Sequence, residues 1–341
     1  MSETTTNKDG RRWRVVATQA AASLLVLFAL TKDADLESIK GQLGMVSIGW
    51  LIAATAIKSV SLSLHEVRLW LSLKPAHSRP FWPTVAIGYT SGLANSLLPA
   101  RGGDVVAIAL LKREQGVPVA AATAAVGITA FLEAAVFALF LLGVLILGLP
   151  HWEVLIGAAQ ARTAMGMLTG ICLASIVGSI ILVKIVAKKR AKESEKKPKG
   201  RGIINFVKET LTHTGSSLGS KGPTVLNIVL AFIQVPLLVC CFWALVPTVG
   251  LELTPNMPIM AVSGVITFSA LSALVLPPSM GAGPAASAVF VFGFFGVSQD
   301  QAIAFAAMSW IANTSPVIVL GLWPMLRHIR EFGDISKNSA K

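Results

Sequence analysis

Ser91-Gly92-Leu93-Ala94-Asn95-Ser96-Leu97-Leu98-Pro99-Ala100-Arg101-Gly102-Gly103-Asp104 opens as an apolar helix and then breaks. Proline removes a backbone donor and the glycine pair permits a tight reversal, so the helix cannot run through. A second stretch can be laid over the first. Ser269-Ala270-Leu271-Ser272-Ala273-Leu274-Val275-Leu276-Pro277 matches its Ser, Leu, Leu and Pro at identical offsets, and Pro278-Ser279-Met280-Gly281-Ala282-Gly283-Pro284 follows. After each break come a short apolar segment, a Gly-Val pair (Gly116-Val117 and Gly296-Val297) and an Ala-rich run.

Around these breaks the chain is overwhelmingly apolar. Of 341 residues, 54% are hydrophobic and 13% charged, and the mean hydropathy is +0.69. A water-soluble chain carries about a quarter charged residues, so this composition excludes a soluble enzyme and places the chain in a bilayer. Crossing a hydrocarbon core of about 30 Å takes about 20 apolar residues. Runs that approach or exceed that length lie at roughly 14–31, 45–64, 81–100, 117–149, 163–187, 223–248, 257–276 and 300–326. The run at 283–296 is too short to cross, and that at 117–149 is too long for one straight crossing. The first run follows Arg11, Arg12 and Arg14 in the manner of a signal peptide, but without a small-residue cleavage site it reads as a retained anchor.

The net charge is +12. The basic residues sit between apolar runs, the pattern that marks cytoplasmic loops, so the charge reports topology and not nucleic-acid binding. Arg68, Lys74 and Arg79 put residues 65–80 inside; the ten Lys or Arg and three Glu of 188–222 do the same. Lys32, Asp33, Asp35, Glu37 and Lys40 put 32–44 outside, as the lone Glu252 does for 249–256, and Arg327 and Arg330 return the tail inside. Three apolar runs separate the two cytoplasmic loops, and an odd number of crossings cannot return to the same face. One segment must enter and leave on one side, and the Pro99 break marks it. The same parity conflict recurs at the Pro277 break, entered from the opposite face. The expected fold is therefore all-α: a polytopic membrane helical bundle with two inverted re-entrant helical hairpins, an arrangement that secondary transporters use around a midplane site. The whole chain reads as a single transmembrane domain, with a first repeat at about 45–187, a basic cytoplasmic loop at 188–222 and a second repeat at about 223–326.

Non-helical backbone at membrane depth is tolerated only in buried protein or beside a wet cavity. Both breaks thus point at a cavity, and the helices starting after Gly103 and Gly283 turn N–H donors toward it, which suits an anionic group such as phosphate. Arg101 offers a planar fork to phosphate oxygens; the competing reading pairs it with Asp104 to hold the hairpin shut. Lys112 and Arg113 either guide a headgroup from the cytoplasmic leaflet or serve as interfacial anchors. Glu133, deep in its span, is too costly to face lipid and either pairs with Arg101, takes part in a proton relay or is a neutral structural acid. Asn95 and Asn313 stand beside the hairpins as cavity-lining candidates, and the second break offers Ser279, Gly281 and Gly283. Asn227 and Gln234 read as hydrogen-bonding glue between helices. Ile203, Ile204, Val207 and Leu211 next to the basic cluster read as a short helix on the inner surface.

Other chemistry is not signalled. The five His are scattered, Cys172, Cys240 and Cys241 lie in apolar runs, and no metal-ligand spacing, nucleophile elbow, Walker or dinucleotide motif occurs in a plausible context. No cofactor and no catalysis are expected.

Leu98 through Asp104, Lys112-Arg113-Glu114-Gln115-Gly116, Pro277 through Gly283 and Gly296-Val297 through Ala306 resemble the transmembrane region of lysylphosphatidylglycerol synthases, a flippase-like membrane family. The likeness spans residues from about 10 to 330. It implies the lipid-translocating part alone, without the aminoacyl-transferase domain of the bifunctional members. Asp104 stands where the family usually has Glu. Glu133 lacks the arginine that usually accompanies it in that helix, and Ala285-Ala286 replaces a usual Glu, which points to a less polar lipid. The expected function is translocation of an anionic phospholipid or lipid-linked intermediate between leaflets of the bacterial inner membrane, with both termini cytoplasmic. The alternative is an accessory scaffold subunit of a lipid or glycan synthesis system. Expected partners are membrane lipids with anionic headgroups and lipid- or glycan-synthesis enzymes; no nucleic acid is expected.

Overall fold

A computed structural model describes residues 17–18, 20–32, 34–44, 46–75, 77–98, 102–156, 203–247, 257–272 and 281–338. The apolar run expected at 163–187 lies outside them. The described residues are helical throughout, without strands: α1 Ala20–Thr31, α2 Leu36–Gly44, α3 Ile48–Leu73, α4 Phe81–Leu97, α5 Gly102–Gln115, α6 Val119–Ile156, α7 Ile203–Gly219, α8 Lys221–Leu245, α9 Met257–Ser272, α10 Ala282–Gly293 and α11 Gln299–Asn338. Among the described residues, four stretches are long and apolar enough to cross a membrane: Ile48–Leu73, Val119–Val144, Lys221–Leu245 and Gln299–His328. Leu25, Phe28, Ile52, Val225, Phe232 and Trp323 are exposed on these and neighbouring helices. That much uncovered hydrocarbon is stable only against lipid or protein.

α4 stops just before the Pro99 break. α4 has 17 residues and α5 has 14, about 25 and 21 Å at 1.5 Å per residue, both short of a crossing. They double back on each other. Thr84 near the start of α4 donates through its hydroxyl to Gln115 Oε1 at the end of α5, at 3.1 Å. At the other end Gly102 leaves no room for a Cβ beside Leu98. The second break is built alike. α9 has 16 residues and α10 has 12. Gly264 faces Val291, Phe268 and Phe290 meet edge to face at 5.1 Å, and Gly283 abuts Ser272, an antiparallel register throughout.

A glycine in the left-handed region follows each short helix, Gly116 (φ 62°) directly after α5 and Gly296 (φ 73°) three residues after α10. In each case the following valine N–H turns back to the helix, Val117 to Leu111 O and Val297 to Phe292 O, both at 3.1 Å. These are αL-glycine helix stops, which satisfy orphan carbonyls and which a β-carbon would strain. The starts of α10 and α11 and this terminal glycine (282, 299, 296) each fall 180 residues after their counterparts (102, 119, 116). The likeness between the two stretches of sequence is thus also a likeness of backbone.

Contacts divide the chain into two compact units, one formed by residues 1–59, 92–103 and 238–322, the other by 60–91, 104–237 and 323–341. In the first, Phe305 of α11 is buried against Phe292 and Phe242 at ring distances of 4.8 and 6.4 Å. Gly281, left-handed at φ 67°, lies under the Trp310 indole. In the second, Leu69, Leu73, Ile87, Leu110, Leu111, Val117, Ala121 and Ala125 form one core that ties α3 and α4 to α5 and α6. The turn from α3 to α4 is pinned by Trp70, whose indole donates to Arg79 O at 2.9 Å, meets Phe81 edge-on and lies under Lys74 Nζ. α7 packs along α6, so the amphipathic segment after the basic cluster is indeed helical. His328 of α11 sits 2.7 Å from the Glu114 carboxylate at the end of α5.

Candidate functional site

The second unit holds a polar network inside its apolar helices. α3 does not end with the apolar run at 64 but continues to Leu73, which carries His65, Glu66, Arg68 and Ser72 inward. His65, Arg68 and Ser72 are spaced i, i+3, i+7 and so share one face; Thr129 and Glu133 do so on α6, as do Asn227 and Gln234 on α8. Within these largely apolar helices the three polar stripes meet and bond one another.

Arg68 is fully buried. Its Nε donates to Asn227 Oδ1 at 3.0 Å, Nη1 to Gln234 Oε1 at 2.6 Å and Nη2 to the Thr129 carbonyl at 2.9 Å. A guanidinium can be taken out of water only when its fork of donors is met, and three neutral acceptors meet it here. The acceptors are themselves fixed. Asn227 Nδ2 donates to Ser72 Oγ at 2.8 Å, and Ser72 and Thr129 share a hydroxyl contact at 3.1 Å. Gln234 turns its other end to Glu133, donating to Oε1 at 3.2 Å. Glu133 Oε2 in turn lies 3.2 Å from His65 Nδ1. A continuous chain therefore runs from His65 through Glu133 and Gln234 to Arg68. Ser72 and Asn227 also line a small cleft of about 10 Å³, room for about one water, together with Ile128, Leu132, Leu218 and Thr224. Its lining mixes apolar side chains with hydroxyl and amide groups, two of which, Ser72 and Asn227, belong to the network around the buried cation.

Among the expected site residues, Glu133 is the one the structure places in this network. Arg101 and Ser279 lie outside the described residues. Asp104 stands in the first turn of α5, with Lys112 and Arg113 in its last turn. Lys112 is exposed; Asn95 and Arg113 are partly buried. Gly281 and Gly283 serve close packing of the second helix pair, against Trp310 and Ser272. Asn313 donates to Ser309 O of its own helix at 2.8 Å. The histidines are not simply scattered among loops. His65 and His328 each meet a carboxylate from within a helix, and the His77 and His213 rings meet at a tilt, 5.5 Å between centres. By charge and hydropathy alone, Arg68 reads only as a loop charge. The signal that identifies it is the i, i+3, i+7 polar face continuing past the end of the apolar run.

Outside the spans, the His77 imidazole is held below its ordinary value, by burial first and then by the charges of His213 and Arg79. Among the described residues no group of three or more His, Cys, Asp or Glu is placed to hold a metal ion.

Apolar spans, paired broken helices and a buried arginine network define a helical integral membrane protein. The family model described as the lysylphosphatidylglycerol synthase TM region matches residues 15–321, and the chain belongs to that family. This makes it a membrane protein related to lipid synthesis or transport. Neither the comparison with curated proteins nor that with solved structures returns a match.

Proposed function

We propose that the protein translocates an anionic phospholipid or lipid-linked intermediate between the leaflets of the bacterial inner membrane, without altering it chemically. The observation that carries this reading is the buried Arg68. A cation deep in an apolar unit is expensive, and such residues mark substrate pathways in membrane proteins. Gln234 and Glu133 lie 13 and 14 residues into α8 and α6, about 20 Å along each helix, a distance comparable to more than half the hydrocarbon thickness. In this reading the small cleft at Ser72, Asn227 and Thr224 widens to receive the headgroup, and the Arg68 charge behind them stabilises its phosphate. The two helix pairs, α4 with α5 and α9 with α10, are re-entrant and enter from opposite faces. Asp104, Lys112 and Arg113 of the first pair border the path.

The test uses protein in vesicles carrying a fluorescent anionic glycerophospholipid. The wild type moves probe between leaflets, and Arg68→Met, which keeps the volume and removes the charge, slows it at least tenfold. Wild-type vesicles indistinguishable from empty ones favour the non-transporting scaffold reading, which the family membership also accommodates.

A further inference from the structure

One buried group in the second unit is used neither by the arginine network nor by the packing core. Glu66 is 2% exposed and accepts no hydrogen bond among the described residues. Its carboxylate rests on α4 at Gly88, in the space a β-carbon there would fill. The charged groups that act on it are His65 on its own helix, Glu133 on α6 and Asp104 on α5. Arg68 acts in turn on His65. α4 meets it at the bare Gly88. Two acids and one histidine thus act on a third acid that accepts no hydrogen bond among the described residues.

We propose that Glu66, with His65 and Glu133, forms a proton-binding site that couples lipid movement to the proton gradient across the membrane. An ionised carboxylate without a hydrogen bond is costly in an apolar interior, and a proton from water, added to one carboxylate oxygen with no other bond made or broken, removes that cost. A metal ion is a poor occupant. Sodium-like and divalent cations need several oxygens converging at short range, whereas Glu66 faces a glycine α-carbon. The site is joined to the arginine through Glu133 and Gln234. With the acids ionised, their charge offsets that of Arg68 and weakens its hold on a phosphate. With a proton bound, the arginine is left to the anion. Proton and anionic headgroup therefore bind cooperatively, and linkage makes the effect reciprocal. Gly88 extends the coupling to the first helix pair, because the neutral acid can lie flat on α4 and the ionised one demands water.

The proposal rests on the translocation reading, and the experiment separates the two. Protein in vesicles of a zwitterionic phospholipid with a trace of fluorescent anionic glycerophospholipid is given an inward or outward pH step. In parallel, infrared difference spectra of the protein alone in lipid nanodiscs are titrated with acid. One proton per lipid in a gradient of one pH unit shifts the leaflet ratio by about tenfold. The wild type is expected to accumulate probe in the direction the gradient dictates. Glu66→Gln, which keeps the shape, and His65→Gln, as a second variant should the first fold poorly, let probe only equilibrate. A titrating carboxylic-acid band is expected in the wild type and absent from Glu66→Gln. Probe that equilibrates without regard to the pH step, or follows a sodium gradient instead, overturns the proton site while leaving translocation standing. If no probe moves, the translocation reading falls and the infrared titration alone decides, a Glu66-dependent band supporting the site and its absence overturning it.

Discussion

The carboxylate of Glu66 occupies the place where a β-carbon on Gly88 would be. A residue of α3 and a residue of α4 are thereby fitted to each other by the absence of one methyl group.

Gly88→Ala is predicted to force the two helices apart or drive Glu66 from its seat, costing about 1 to 3 kcal/mol, the usual range for overpacking. Thermal unfolding in detergent measures it. The cost should shrink markedly in a Glu66→Ala background, because the clash is with that side chain; an equal cost in both backgrounds would refute the pairing.

Arg68→Lys is predicted to be nearly as harmful as Arg68→Met. Lysine carries the charge but cannot reach Asn227, Gln234 and the Thr129 carbonyl together, and each buried acceptor left unpaired costs about 1 to 3 kcal/mol. Melting temperature and probe movement in vesicles should both fall. A lysine variant with wild-type behaviour in both would show that charge alone suffices.

How much of this was legible in the sequence follows from what each signal depends on. The breaks were readable because Pro99, Gly102, Pro277 and Gly281 act locally: a proline cannot continue a helix, and the glycines allow conformations other residues resist. The repeat was readable because Gly116 and Gly296 recur with the same neighbours. The arginine network was not, because Arg68 falls where the apolar run has ended and a charge count assigns it to a loop. Only the continuation of α3 to Leu73 turns it inward. The partners Asn227 and Gln234 come from a helix more than 150 residues away, and no local pattern announces a match over that distance. Arg101 and Ser279, singled out from sequence, lie outside the described residues.

The contact between the α3–α4 turn and α7 is predicted to be sensitive to acid. His77 holds its proton less readily in the folded protein than at its ordinary 6.5, so in the window below 6.5 the unfolded chain binds more protons than the folded one. Stability from this group is therefore full above that value and lost as pH falls through the lowered folded value. Hydrogen exchange of the α7 amides should quicken on acidification in the wild type and less so in His77→Gln. Identical pH profiles would show that His77 does not link the two.

In the second helix pair, a β-carbon on Gly264 would lie 2.9 Å from Val291 Cγ1. Gly264→Ala is predicted to loosen α9 from α10 and lower the melting temperature, and Val291→Ala to restore part of the loss by making room. Additive losses in the double variant would contradict the close packing of the two helices.

The central claim is that a lipid headgroup reaches the cleft beside Arg68. A phospholipid carrying a photoreactive group at its headgroup, incorporated with the protein in native-like bilayers and mapped by mass spectrometry, tests this directly. Labelling at Ser72, Thr224 or Asn227, suppressed by excess unlabelled anionic lipid and lost in Arg68→Met, is the result the account predicts. Labelling confined to outward-facing positions such as Val225, Phe232 and Trp243, unchanged by the substitution, would contradict it.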